Sequence, residues 1–280
     1  MQKSQWIAVV AALGLIAVLF FWGSSSSKNE NATQVNSQTT VSELNIDTIL
    51  RHAKEKLSEA QITRLGILEQ SVIRGAVKEQ QLAVFHQLAH FWKDTVQVFE
   101  PYAWYEAEAA RLEYSEKNLT FAAHLFLNNL WNEENPQLKK WKALQAKDLF
   151  ERSLKINAEN DSSQVGLGAC YIFGAISETP MEGIQKILKV IEKDSTNVFA
   201  QMMLGHGSVI SGQYDKAIAR FERVFHLQSN NLEAILMLAE VYERKADKQT
   251  AINWYRQAKK LITHRELNAE LDNRIENLSK

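Results

Sequence analysis

Two histidines at helical spacing are the residues of this sequence best placed for metal chemistry. His86 and His90 lie four positions apart, which puts two imidazoles on one face of a helix, where they can share a zinc ion. Gln87, Leu88 and Ala89 lie between them, so the glutamate base of a helical zinc-protease motif is missing. Since no third ligand is evident, we predict no metal site here.

Three glutamates beside two aromatic residues are the other arrangement that suggests catalysis. Glu106, Glu108 and Glu113 follow Trp104 and Tyr105, and a pair of carboxylates can divide the roles of acid and base. They alternate with alanine, however, which is more typical of the solvated face of a helix. The sequence also has no glycine-rich phosphate loop, no Gly-x-Ser-x-Gly elbow and no Cys-x-x-Cys pair. We predict that the protein is not an enzyme and carries no cofactor.

The composition argues against a nucleic-acid-binding protein, a disulfide-bonded protein and a β-sheet protein. The 280 residues include 32 basic and 33 acidic side chains, for a formal net charge of −1, so no overall field attracts nucleic acid. The single cysteine, Cys170, excludes an intramolecular disulfide, and its place between Leu167 and Tyr171 favours a buried, inert thiol. Three prolines, eleven glycines and no alternating Val/Ile/Thr runs argue against a β-sheet.

The helices that must position any site are marked by an internal repeat. A leucine followed by glycine or alanine recurs at intervals of 37 and then 34 residues. The pairs are Leu167-Gly168, Leu204-Gly205 and Leu238-Ala239. A period near 34 indicates helical hairpins, each too small to bury its own apolar face, so neighbouring hairpins must stack into a solenoid.

Two consecutive units match over their whole length. Equivalent positions carry a leucine, a small residue, an alanine, an aromatic residue and an aliphatic residue. They are Leu204, Gly205, Ala217, Phe221 and Val224 in one unit and Leu238, Ala239, Ala251, Tyr255 and Ala258 in the next. The small residues let two helix backbones approach closely, and the aromatic residue fills the gap toward the neighbouring hairpin. This pattern resembles the tetratricopeptide repeat (TPR) family.

Weaker copies extend the repeat toward the amino terminus. Residues 161–197 carry the same unit with three extra residues near 177–180, and a split unit precedes it. We predict an all-α, TPR-like, right-handed helical solenoid with an N-terminal transmembrane helix and a C-terminal capping helix. The predicted soluble segments are a degenerate repeat-like helical region (43–116), the TPR array (117–264) and the capping helix (265–280).

An apolar segment near the amino terminus predicts a membrane anchor. Residues 6–22 are uncharged and almost wholly apolar, and they span roughly 25 Å at ~1.5 Å per residue. Trp6 and Trp22 bracket the segment as interfacial anchors. We therefore predict an uncleaved transmembrane helix over 1–23. A cleaved signal peptide and a buried core helix are the alternatives, although the segment ends without a small-x-small cleavage site.

The flanks of this segment predict its orientation. Lys3 precedes it, so the positive-inside rule places the amino terminus in the cytoplasm. Residues 24–42 are rich in serine, asparagine, glutamine and threonine, as in a flexible polar linker. The expected location is the bacterial inner membrane, crossed once, with the solenoid in the periplasm.

The TPR resemblance implies a binding groove, because in that family the first helix of each unit lines the concave side. The implied groove residues are Phe173, Phe199, Met202, His206, Val209, Leu236, Glu240 and Glu243. An apolar groove with an acidic rim would suit a segment with Leu or Phe anchors and some Lys or Arg. The structural alternative is that the apolar members pack under a neighbouring helix.

These expectations combine into one function. We predict a membrane-tethered TPR scaffold or adaptor that binds a protein or peptide partner in the concave groove, with envelope complex assembly as a candidate role and no nucleic-acid partner. The alternative is a metal-binding or enzymatic role for the degenerate N-terminal helical half.

Overall fold

The computed structural model describes residues 44–74, 77–177 and 180–280. All regular secondary structure in these ranges is helical, as the sequence predicts, and it comprises thirteen α-helices and one π-helical turn, Phe91–Val96. The helices are α1 (Ile46–Lys54), α2 (Glu59–Arg74), α3 (Lys78–His90), α4 (Phe99–Glu113), α5 (Glu116–Leu130), α6 (Pro136–Ile156), α7 (Asp161–Phe173), α8 (Met181–Lys193), α9 (Val198–Ile210), α10 (Tyr214–Leu227), α11 (Leu232–Arg244), α12 (Lys248–Lys259) and α13 (Arg265–Ser279).

The predicted membrane anchor and linker lie outside the described residues. In the ranges that the structure describes, no helix is both long enough and apolar enough to cross a bilayer.

An asparagine begins the first helix of each of three hairpins. The side-chain oxygens of Asn160, Asn197 and Asn231 accept hydrogen bonds from backbone N–H groups three residues later, at 2.8, 2.9 and 3.0 Å. Each bond satisfies a donor that the first turn of a helix leaves without an internal partner. These asparagines repeat at the spacing of the Leu-Gly pairs. The sequence therefore marks the start of each of these hairpins with an asparagine.

Consecutive helices pair into hairpins that stack on one another. The pairs are α5/α6, α7/α8, α9/α10 and α11/α12, and the second helix of each pair also packs on the first helix of the next. First helices meet as well, α5 with α7 and α7 with α9. One continuous apolar core runs from Ile49 to Val241, and α13 covers the last hairpin with Leu267, Leu271 and Ile275. The chain therefore folds as a TPR-like helical stack.

Small residues allow the closest helix contacts, as the sequence predicts. A Cβ atom added to Gly205 would lie 2.5 Å from Cε1 of Phe221, whose ring is fully buried. In the preceding hairpin, a Cβ atom on Gly183 would lie 2.3 Å from the backbone oxygen of Gly168. Both distances are shorter than a van der Waals contact, so these positions of the α7/α8 and α9/α10 pairs admit only glycine at the present helix separation.

Gly183→Ala should therefore destabilise the protein. Since the obstacle is a backbone oxygen, α7 and α8 must move apart, and we expect a loss of about 1–3 kcal/mol. Gly207→Ala is the matched control, because its Cβ would meet Ile172 at 3.5 Å, an ordinary contact. The control should gain about 0.5–1 kcal/mol from better helix propensity. Urea unfolding midpoints measure both, and shifts in the same direction would contradict the close approach.

Candidate functional site

The predicted groove residues lie on the first helices of their hairpins, and the structure separates them by burial. Phe173, Met202 and Val209 are buried. Partly exposed side chains form the rest of the set: Phe199, His206, Leu236, Glu240 and Glu243. Only these five therefore offer contact surface to a partner without a rearrangement of the stack.

Aromatic rings of α5, and of the residue that follows it, also touch rings of α9 across α7. The ring of His124 on α5 lies 5.3 Å, centroid to centroid, from that of Phe199 on α9. Trp131, which follows α5, lies 4.9 Å from the ring of His206 and 4.4 Å from that of Phe173. These ring contacts cover part of the first-helix face over α7, although Trp131 itself stays 36% exposed.

The acidic members of the predicted groove are paired with arginines. Glu240 lies 2.6 Å from Arg244 Nη2, and Glu243 lies 2.9 Å from Arg274 Nε. The hydroxyl group of Tyr255 also donates to Glu243 at 2.8 Å. These carboxylates are therefore already neutralised within the chain, which weakens them as a surface for a basic partner.

A second concave surface lies between α8 and α10, over α9. We call it the α8–α10 groove; its volume is about 700 Å³. The α8 wall is apolar, and its Met181 is 57% exposed. The floor on α9 is mixed, with Leu204 beside Gln201, Ser208 and Ser211. The apolar lining consists of Ile172, Met181, Ile184, Leu188, Ile191 and Leu204, with Ala219 on the opposite wall.

The opposite wall of the groove is basic. Lys216, Arg220 and Arg223 lie on one side of α10, and no acidic residue of the described ranges lines the groove. Arg220 Nη1 donates to Oε1 of Gln201 at 2.9 Å, and Gln201, which is only 3% exposed, donates in turn to the backbone oxygen of Ser195. No described carboxylate lies within ion-pair distance of Arg220, and burial lowers the pKa of its guanidinium. A partly desolvated cation without a counterion is costly.

Comparison with the next interface explains why the groove stays open. Between α10 and α12 the rings of Phe225 and Trp254 meet edge to face at 5.0 Å. The residues 34 positions earlier are Ile191 and Arg220. A short aliphatic side chain and a charged one therefore stand where the next pair of hairpins has two aromatic rings, and the space between the helices is left unfilled. An alignment of the two units shows this difference in the sequence alone, because Arg220 occupies the position that Trp254 occupies one unit later.

The candidate metal and redox residues are placed apart from this groove. His86 Nδ1 lies 3.4 Å from Glu106, and His90 Nδ1 lies 3.0 Å from Asp94. Within the described part of the chain, no group of three or more His, Cys, Asp or Glu side chains is arranged to hold a metal. Cys170 is buried, as predicted, and burial raises the pKa of its thiol.

Neither a protein-family model nor a curated protein matches the sequence. Several solved structures are similar to this chain. YrrB, described as a TPR protein with an unusual peptide-binding site, is 15% identical, with 74% of this chain and 97% of that chain covered and a TM-score of 0.42. MamA from Desulfovibrio magneticus RS-1 is 16% identical (64% and 94% covered, TM-score 0.43). PilF from Pseudomonas aeruginosa is 14% identical (72% and 85% covered, TM-score 0.46). At these scores, the TPR-like description rests on the helix pairs and glycine contacts of the chain itself.

The half-buried His124 should make the stack sensitive to acid. Its Nε2 atom lies 2.8 Å from Ser162 Oγ, and burial lowers the pKa of the imidazole from its ordinary value of 6.5. The unfolded chain then binds a proton more readily than the folded chain does, so stability is full above about pH 6.5 and falls as the pH drops below it.

We expect His124→Gln to weaken this pH dependence. The measurement is the urea midpoint at about pH 7.5 and about pH 5.5. The matched control is His264→Gln, which changes an exposed histidine and should keep the wild-type dependence. The same acid-induced shift in all three proteins would mean that His124 is not the group responsible.

Proposed function

We propose that this protein is a helical-repeat scaffold that binds a protein partner in the α8–α10 groove. The observation that carries the proposal is the unfilled interface itself: Met181 and the apolar wall of α8 stay open to solvent where the next interface is closed by Phe225 and Trp254. An apolar surface left uncovered within a solenoid is typical of a binding site. Contact between α5 and α9 makes the first-helix face over α7 less accessible to a partner.

We further propose that the scaffold is held at a membrane. The apolar residues 6–22, flanked by Trp6 and Trp22, support an uncleaved anchor, and the polar residues 24–42 support a linker between the anchor and the helical stack. With Lys3 on the cytoplasmic side, the stack would lie in the periplasm of a bacterium. Assembly of an envelope complex would suit such a scaffold.

A photo-crosslinking residue placed in the groove tests the binding proposal. Ala219 lines the groove and is exposed, and its equivalent one unit later is Asn253, also exposed. We expect ultraviolet light to join the variant at position 219, in intact cells, to a partner of one defined mass. The variant at position 253 should give no such product, because it has the same place in the next hairpin, where the rings of Phe225 and Trp254 meet between the helices.

A third variant separates the two candidate surfaces. A crosslinker at Glu240 reports on the groove that the sequence predicts on the first-helix face. Crosslinks from position 240 together with none from position 219 would move the site to that face, and crosslinks from neither position would oppose the scaffold function.

Fractionation tests the membrane proposal. We expect the full chain to stay in the membrane pellet after an alkaline carbonate wash, because a spanning helix is not extracted by high pH. Protease added to spheroplasts should digest the helical stack. Release into the carbonate supernatant would indicate a cleaved or peripheral segment, and protection from protease would reverse the orientation.

A further inference from the structure

The two walls of the α8–α10 groove differ in chemistry and run along it as rows. On α8 the apolar side chains recur at positions 181, 184, 188 and 191, and on α10 the basic ones recur at 216, 220 and 223. Both rows have the spacing of one helix face. At ~1.5 Å per residue they extend roughly 15 Å and 10 Å, the length of two to three helical turns.

The positive charge of the groove indicates that its partner is acidic. The groove carries three cations and, in the described part of the chain, no lining carboxylate. Arg220 has Gln201 as its hydrogen-bond partner and lies partly out of water, so a carboxylate brought to it would form a charge-assisted hydrogen bond of more than surface strength. This preference is opposite in sign to that predicted from the sequence for the first-helix groove, which would suit a segment with Lys or Arg.

We propose that the α8–α10 groove binds an acidic amphipathic helix of a partner protein. Its apolar face would pack on Ile184, Leu188 and Ile191, and its carboxylates would pair with Arg220 and Arg223. The inference rests on the proposed scaffold function and adds the partner's chemistry to it. A protein segment fits better than a flat lipid surface, because the cations lie along the wall of a groove and not on a plane.

Synthetic peptides test this chemistry directly. The probes are three labelled, end-capped 15-residue peptides with leucine along one helix face and glutamate, glutamine or lysine on the flank. Fluorescence anisotropy with the full chain in zwitterionic nanodiscs measures their affinity. We expect the glutamate peptide to bind best, more weakly as salt rises, and the lysine peptide to bind at least about tenfold more weakly. Equal affinity for all three peptides would overturn the proposal.

Two substitutions of Arg220 distinguish the effect of its charge from the effect of the open volume beside it. Arg220→Gln removes the cation and should lower the affinity for the glutamate peptide about tenfold, with little change in the affinity for the glutamine peptide. Arg220→Trp restores the aromatic residue of the next interface, so it should fill the groove and weaken both peptides while keeping the melting temperature. The matched control is Arg256→Gln, which removes an exposed arginine of α12 and should change neither affinity.

The remaining outcomes decide against the proposal or against its premise. Equal binding by Arg220→Gln and Arg256→Gln proteins would show that the arginine is not the recognition element. Displacement of the glutamate peptide by palmitate at equal concentration would assign the groove to a fatty acid. If no peptide binds while position 219 still crosslinks to a partner, the scaffold function stands and the acidic helix is wrong; loss of both results would remove the scaffold as well.

Discussion

A helical hairpin of this length cannot bury its own apolar face, and every hairpin therefore depends on what its neighbours place against it. The contacts within pairs are set by glycine: Gly168 against Gly183, and Gly205 against the ring of Phe221. Contacts between pairs are set by larger side chains, as at Phe225 and Trp254. A few positions in each unit thus decide whether an interface closes or stays open.

At the α8–α10 groove, the neighbouring hairpin does not cover the apolar face of α8 completely. Arg220 replaces the aromatic residue of the following unit, and its stem and guanidinium cannot fill the same volume in the same way. The arginine therefore has two effects: together with Ile191 it leaves apolar side chains of α8 uncovered, and it adds a charge beside them. The open volume and the positive charge therefore occur together, at a site without a catalytic motif.

The sequence predicted the helical class and the hairpins because the Leu-Gly pairs repeat at a fixed spacing and the packing of a hairpin is local. It did not predict that His124 and Trp131 would reach α9, because contacts between hairpins two units apart depend on how the stack curves. Met202, which the resemblance places in a groove, is buried. The open interface at Arg220 could be suspected by aligning the units, but its volume required the helix positions.

The contacts of α5 with α9 have a consequence for cooperativity. A repeat array in which each unit touches only its neighbours behaves as a one-dimensional chain of coupled states and can lose units from its ends one at a time. His124 and Trp131 add couplings between second neighbours, so α5 to α10 should open as a single block. The α8–α10 groove lies inside that block. Its walls are therefore held in place before any partner arrives, and little ordering entropy remains to be lost on association.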